Sequence, residues 1–312
     1  MGKDITKNLV GQPIFKQIIK MLPREQFDIL VKQCVSDRYY KTLFSWEQLM
    51  IMLFGIFSRC DSMGEVCDGM RALSGKLSYL GMDCAPSKST AGDALRDRSE
   101  ELFRLYYFAL IAYFRPLLSV SRKEKVSFEE FYAFDSTTIT LFSQVMKGVG
   151  RDPKGDGKKK GGLKVHMLTD VHADTAIFAK ISEAKMHDKK FLAHLNPGKG
   201  SMLVFDKAYN FYQQFAQWTE EGVNFVCRLK DNAKVQLQEV LFEKTLQKEE
   251  SGVYKVEHIH LEYKKDKRPE ILCLRLVYYK DEQGRKYKFI TNNWEISPEE
   301  VALIYKYRWT IE

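Results

Sequence analysis

The sequence predicts an α/β protein: a mixed sheet with helices, preceded by an all-helical region and interrupted by a β-rich insertion. Three observations predict it. Up to about residue 125, apolar residues recur at helical spacing. From about Glu129 the pattern turns to short runs rich in Val, Ile, Phe and Tyr, alternating with helical stretches. Between residues 231 and 293, three longer β-type runs follow one short helical piece and are joined by charged turns.

In the first region, Phe27, Leu30, Val31 and Cys34 follow the i, i+3, i+4, i+7 rule of a helix. Ser45 and Gln48 form a capping box at the head of SWEQLMIMLFGIF, with Trp46, Leu49, Met50 and Leu53 on one stripe. A further helix covers Glu100–Phe114 and ends before Pro116, which cannot donate a helical hydrogen bond. Between these, Pro86 and Ser87 break the chain and a polar, basic helix begins near Ser89. Lys88, Ser89, Thr90, Arg96 and Arg98 there suit either contacts to a DNA backbone or a solvated face.

In the second region, FYAF, GGLKVHMLTDV, TAIFAKIS, SMLVFD and NFVCRL read as five strands. Helices are expected over Lys189–Leu195 and Phe211–Glu221. The loop Arg151–Gly162 carries Lys154, Lys158, Lys159 and Lys160, which fit a solvated tip or an edge that tracks DNA. The insertion contributes Val253–Tyr263, Ile271–Tyr279 and Tyr287–Thr291. His258 and His260 share one face of a strand; with no third partner in view they read as surface residues.

The 312 residues suggest two or three domains. An apolar share of 45% and 13% aromatics exclude a disordered chain. Lys and Arg number 49 against 41 Asp and Glu, a net +8, which favours a polyanionic partner. The six cysteines form no CxxC pair, which argues against a zinc ribbon or disulfide ladder and fits the reducing cytoplasm. The longest apolar run, Leu49–Phe57, is nine residues, too short to span a bilayer, so no membrane partner is expected.

The candidate chemistry lies in three acids. Asp is depleted inside strands, yet Asp135 interrupts FYAFDSTTIT and Asp206 ends MLVFD, each preceded by Phe. A strand-end cap explains either one alone. Glu312 is the third, on a helix with Ser297 as N-cap, Pro298 at its first position and Glu300 completing a capping box. Val301, Tyr305, Arg308 and Glu312 fall on one face of that helix. A simple Arg308–Glu312 ion pair is the plain alternative. Three such acids can bracket two Mg²⁺ ions for phosphoryl transfer, with Arg308 as a planar fork for phosphate and Tyr305 beside it.

These residues, in this order, resemble the DDE transposases of the insertion sequence 4 group. FDSTTITLF resembles the first-Asp strand, VFDKAYN the second-Asp motif, and ITNNWEISPEEVALIYKYRWTIE the Tyr-Arg-Glu-Lys signature helix. The resemblance implies a ribonuclease H-like core and a bacterial enzyme of cut-and-paste transposition. It implies end nicking, hairpin formation, hairpin opening and strand transfer. Asp135, Asp206 and Glu312 would be the catalytic metal ligands, for two Mg²⁺ with Mn²⁺ able to substitute. Tyr305, Arg308, Lys207 and Lys164 would meet DNA. The partners implied are double-stranded DNA, as terminal inverted repeats and as target, and a second copy of the chain in an end-paired dimer. The location implied is the bacterial cytoplasm, on the nucleoid when DNA is bound.

The domains expected are 1–125, helical and end-binding; 126–230, the first part of the core; 231–293, the β-rich insertion; and 294–312, the start of the catalytic helix. Three departures stand out. Lys207-Ala208 replaces the Arg-Gly common after the second Asp. The signature Lys would fall beyond Glu312, as would the helices that in the family brace the core and contribute to dimer assembly, so a truncated core with weak or no strand transfer is expected. The rival expectation is a non-catalytic DNA-binding fragment that occupies transposon ends and inhibits intact enzyme. His166 and the His187-Asp188 pair lack the extra histidines of a metal phosphohydrolase and read as structural.

Overall fold

The computed structural model describes residues 14–118, 127–140, 162–184, 186–247 and 250–311. The chain divides into two compact units, residues 1–116 and 117–312. The sequence boundary was expected nine residues later, at the change of period.

The first unit is helical: α1 (Ile14–Met21), α2 (Arg24–Gln33), α3 (Ser45–Phe57), α4 (Met63–Ala72), α5 (Lys88–Asp97) and α6 (Glu101–Leu118), with a 3-10 turn at Leu77–Leu80. Phe27 packs edge-on between Trp46 and Tyr106, and Met50 and Met70 fill the centre. The Trp46 indole N–H donates to the Leu80 carbonyl at 2.9 Å.

Four expectations shift here. The N-cap of α3 is Phe44, not Ser45, because Ser45 is buried and spends its N–H and hydroxyl on Asp37; Glu47, rather than Gln48, accepts from the Phe44 N–H at 2.7 Å. Helix α6 runs through Pro116, which sits in its last turn, where the missing N–H costs a single hydrogen bond. Arg98 is no DNA contact: it is 7% exposed and donates to the Leu43 and Ser36 carbonyls and to Gln48. A guanidinium with this many acceptors joins loop to helix from inside. Helix α5 begins one residue before the expected start, with Ser87 accepting from the Thr90 N–H.

Among the described residues, the second unit is built on one nine-stranded sheet, ordered β3-β2-β1-β4-β5-β9-β8-β7-β6. Its strands are β1 (Phe131–Thr140), β2 (Gly162–Asp170), β3 (Thr175–Glu183), β4 (Met202–Phe205), β5 (Asn224–Arg228), β6 (Val235–Glu243), β7 (Gly252–Lys265), β8 (Arg268–Lys280) and β9 (Lys286–Thr291). Strands β1, β2 and β3 form an antiparallel meander. β4 lies parallel to β1, and β5 parallel to β4. β9 pairs antiparallel with β5, so the insertion extends the same sheet rather than standing apart from it.

The expected short helix over Lys189–Leu195 is two 3-10 turns, Asp188–Lys190 and Leu192–His194. The helical piece expected before the meander is strand β6, an exposed edge with two register shifts against β7. Its partner lies about twenty residues further on, so local periodicity carried no sign of the pairing. The β7–β8 turn places Asp266 at φ 50° and Lys267 at φ 67°, the left-handed pair a two-residue hairpin turn requires.

Alternation along the strands gives the sheet two packed faces. Phe134, Leu203, Phe205 and Phe225 meet Phe191 and α7 (Tyr212–Glu221), which supplies Phe215 and Trp218. Phe131, Ala133, Met202, Val204 and Val226 point the other way, onto α8 (Pro298–Tyr307) through Val301, Ile304 and Tyr305. Among the described residues no helix is long and apolar enough to cross a membrane.

Candidate active site

Phe134 and Phe205 are register partners on parallel neighbours, so Asp135, midway along β1, and Asp206, just past the end of β4, emerge side by side. Parallel strands lie about 4.8 Å apart. The two aspartates also continue the odd and even series, respectively, that faces α8. Burying Phe134, Phe205 and Tyr209 in one aromatic stack on the far face fixes which way both acids turn.

Helix α8 brings its own groups to these acids. Ser297 Oγ accepts from the Glu300 N–H at 3.1 Å and Pro298 opens the helix, as its residue types dictate. Glu300 departs from the expected capping box and accepts from the Ser127 hydroxyl at 3.1 Å. Val301 and Tyr305 anchor the helix in the core. The Tyr305 hydroxyl donates to Asp206 Oδ1 at 3.1 Å, and Arg308 Nη1 donates to Asp135 Oδ2 at 2.7 Å. Burial, and then the Asp206 charge, push the Tyr305 phenol well above its ordinary value, so it remains a donor. The Arg308 side chain is 9% exposed and that of Asp135 25%, a largely desolvated pair. At Arg308 the α-helix gives way to a 3-10 turn, Arg308–Ile311. Glu312, the third expected acid, lies outside the described residues, as do Lys154, Lys158, Lys159 and Lys160.

Lys207 follows Asp206 in a 3-10 turn and reaches Asp231 Oδ2 at 3.0 Å, a surface pair. These residues, with Ala208, Lys230 and Asn232, line a shallow cleft beside Asp206. Lys164 is placed differently from expectation. Strand β2 is internal, and Lys164 shares a face with Ser136 and His166, opposite the acids. Its ammonium donates to Asp188 Oδ1 at 2.8 Å and to the Met186 carbonyl at 3.2 Å. Asp188 also accepts from the Ser136 hydroxyl at 3.1 Å, so the sequence-noted Asp188 braces the residue next to Asp135. His166 is fully buried, stacks on Phe191 at 4.7 Å and meets Ser182 Oγ at 3.1 Å.

Two contributors escaped sequence reading. Arg228 ends β5 on the α8 face, in step with Val226, and its charge bears on Tyr305 and Asp231. The signal was the alternation in NFVCR, unreadable until the face was known. Asn210 donates to the Arg228 carbonyl at 3.0 Å and accepts from the Lys230 N–H at 3.2 Å, which ties the exit of β4 to the exit of β5.

Residues 126–312 match the transposase DDE domain family. The chain belongs to that family. Residues 10–83 match a domain of unknown function (DUF4372). The chain is similar to a Sinorhizobium fredii protein named as a transposase (y4zB), at 26% identity over 51% of this chain and 44% of that one. It is also similar to a Geobacillus stearothermophilus protein named as a transposase for insertion sequence element IS5377, at 26% identity over 57% of this chain and 45% of that one. The chain thus spans about half the length of the curated relatives it matches.

Transposase DDE domains use divalent metal ions. The donor set here fits one: two hard carboxylate oxygen ligands side by side, partly open to solvent, with the Arg308 guanidinium already drawn to the negative charge of Asp135.

Proposed function

We propose that this chain is a DNA transposase of the insertion sequence 4 type, acting by metal-dependent cut and paste. The supporting observation is the docking of α8 on the paired acids of β1 and β4, with Tyr305 on Asp206 and Arg308 on Asp135. Asp135, Asp206 and Glu312 hold Mg²⁺, with Mn²⁺ able to substitute. The bound ions supply Lewis acidity at the scissile phosphate and a more acidic attacking water or 3′ hydroxyl.

The chain's own residues do the positioning. Arg308 carries a planar fork that can keep one N–H on Asp135 and turn another toward a phosphate oxygen. Tyr305 stays protonated and holds Asp206 in one rotamer. Lys207 and Lys230 add positive charge at the cleft, where a DNA backbone would run, and Arg228 adds its charge from the end of β5. The Lys88–Thr90 start of α5 is a candidate for backbone contact by the end-binding region. Nicking, hairpin formation, reopening and strand transfer on paired ends then require two copies of the chain.

The test is cleavage of the DNA that flanks the coding gene. Purified chain with Mg²⁺ or Mn²⁺ should leave nicks with 3′ hydroxyls at the element ends, with little or no hairpin or joined product. Asp135→Asn and Asp206→Asn should abolish the nicking while leaving a salt-sensitive band shift. Cleavage that survives both substitutions would overturn the reading. DNA binding with no metal-dependent cleavage under any condition would favour an inhibitory DNA-binding fragment instead.

A further inference from the structure

His258 and His260, set aside at the sequence level for want of a third partner, have one in the fold. The register between β7 and β8 pairs His260 with Cys273, and i, i+2 spacing puts His258 on the same face. One ligand atom of each residue lies within 4.8 Å of the other two. Among the described residues this is the one group of three or more such side chains that close. The two imidazoles meet edge-on at 5.3 Å, and Trp294 closes the far side of His258 at 5.1 Å.

The second observation is independent of that clustering. His258 Nε2 is buried and makes no hydrogen bond. A buried imidazole nitrogen without a partner carries an uncompensated desolvation cost. Coordination to a metal removes it. Cys273 is exposed and unpaired, so its sulfur is open to exchange with solvent ions. Arg275, cross-strand from His258, is held on the Trp294 and Ile296 carbonyls at 3.1 and 2.7 Å.

We propose that His258, His260 and Cys273 form a Zn²⁺ site that staples β7 to β8. Two neutral imidazoles and a thiolate are borderline-soft donors, which Zn²⁺ takes and Mg²⁺ does not. Metal–nitrogen and metal–sulfur bonds of about 2.1 and 2.3 Å bring ligand atoms to roughly 3.5 Å apart. Small side-chain rotations close the gap from the separation seen here. The Cys273 thiol proton goes to solvent on binding, and a water fills the fourth position. The site is chemically separate from the paired aspartates and does not rest on the transposase reading.

The experiment uses the full 312-residue chain, stripped of metal and kept reduced with a phosphine, with Co²⁺ as the probe. Titration should produce a thiolate-to-cobalt charge-transfer band that rises to a plateau. Zn²⁺ should remove the band, and a hundredfold excess of Mg²⁺ should not. Cys273→Ser should abolish the band, and His260→Gln should weaken Co²⁺ binding at least tenfold. Cys84→Ser, at an exposed cysteine in the other unit, should leave it unchanged. Circular dichroism identifies any variant that fails to fold; because Cys273 is exposed, its serine variant is expected to fold, and its result decides. A band that persists in Cys273→Ser, or no band in the parent chain, overturns the proposal.

Discussion

The α8-facing side of the sheet carries two donor sets of opposite character. Where β4 ends beside β1 stand two carboxylates, hard oxygen donors next to an arginine and a tyrosine. On the β7–β8 hairpin, two imidazoles and a thiol lie across an antiparallel pair. Where the strands stop explains the difference. β4 ends at Phe205 while its parallel neighbour β1 runs on, so the exit of β4 leaves Asp206 beside Asp135 in a cleft. An antiparallel ladder brings mid-strand residues into opposition, so ligands meet over the sheet surface rather than at its rim. The first arrangement leaves room for a long polyanion; the second clamps two strands.

The largest effect expected is at the carboxylates. Asp135→Asn or Asp206→Asn removes a charge that a hard cation needs and keeps the shape. Cleavage of end DNA should fall about 10³-fold or more, equivalent to roughly 4 kcal/mol of barrier. The Co²⁺ charge-transfer band at the hairpin should be unchanged in both variants. If either substitution removes that band, the two donor sets are not independent and the comparison fails.

Arg308 comes next. Arg308→Lys retains the charge and loses the fork, so cleavage should fall about 10–100-fold, read as kcat at saturating DNA. Arg308→Ala leaves Asp135 largely buried without its cation and should also cost about 2–3 kcal/mol of stability, discounted for the residual exposure of the acid. Chemical denaturation distinguishes the two variants. Equal stability of Arg308→Ala and the parent would show that the guanidinium is held elsewhere in solution.

A smaller effect follows from the brace behind Asp135. Ser136→Ala deletes the hydroxyl that donates to Asp188 but leaves the Lys164–Asp188 pair intact. About 1 kcal/mol of stability and less than tenfold in cleavage should be lost. No change in either would mean that Asp188 serves Lys164 alone.

Much of this was written in local pattern. FYAFD and MLVFD each place an apolar strand before an acid, and Ser297-Pro298 starts a helix by its own chemistry. What local pattern lacks is register. Lys164 looked equivalent to any other strand lysine until its pairing with Thr138 put it on the face away from the acids. Arg228 was passed over for the converse reason: nothing within NFVCR says which face packs on α8. His258 and His260 lacked a third ligand because Cys273 lies thirteen residues on in sequence and one strand away in space. VQLQEVLFE was read as helical because its strand partner is non-local and its exposure hides the alternation.

The mildest expectation concerns His166, on the face that carries no donor set. Burial dominates the surrounding charges and lowers its pKa from the ordinary 6.5. Its ring is stacked on Phe191, and its Nδ1 is buried with no hydrogen-bond partner. The unfolded chain therefore takes up a proton at higher pH than the folded one. The stability due to neutral His166 is fully present above the unfolded value and is lost as pH falls through the folded one. His166→Phe keeps the aromatic stack, removes the unpaired nitrogen and abolishes the titration. Its unfolding free energy should decline less steeply than the parent's as pH falls below about 6.5, with the two curves parallel above neutrality. Parallel curves through the acid limb would mean that His166 is reached by water in solution, and that this face of the sheet opens more readily than its packing implies.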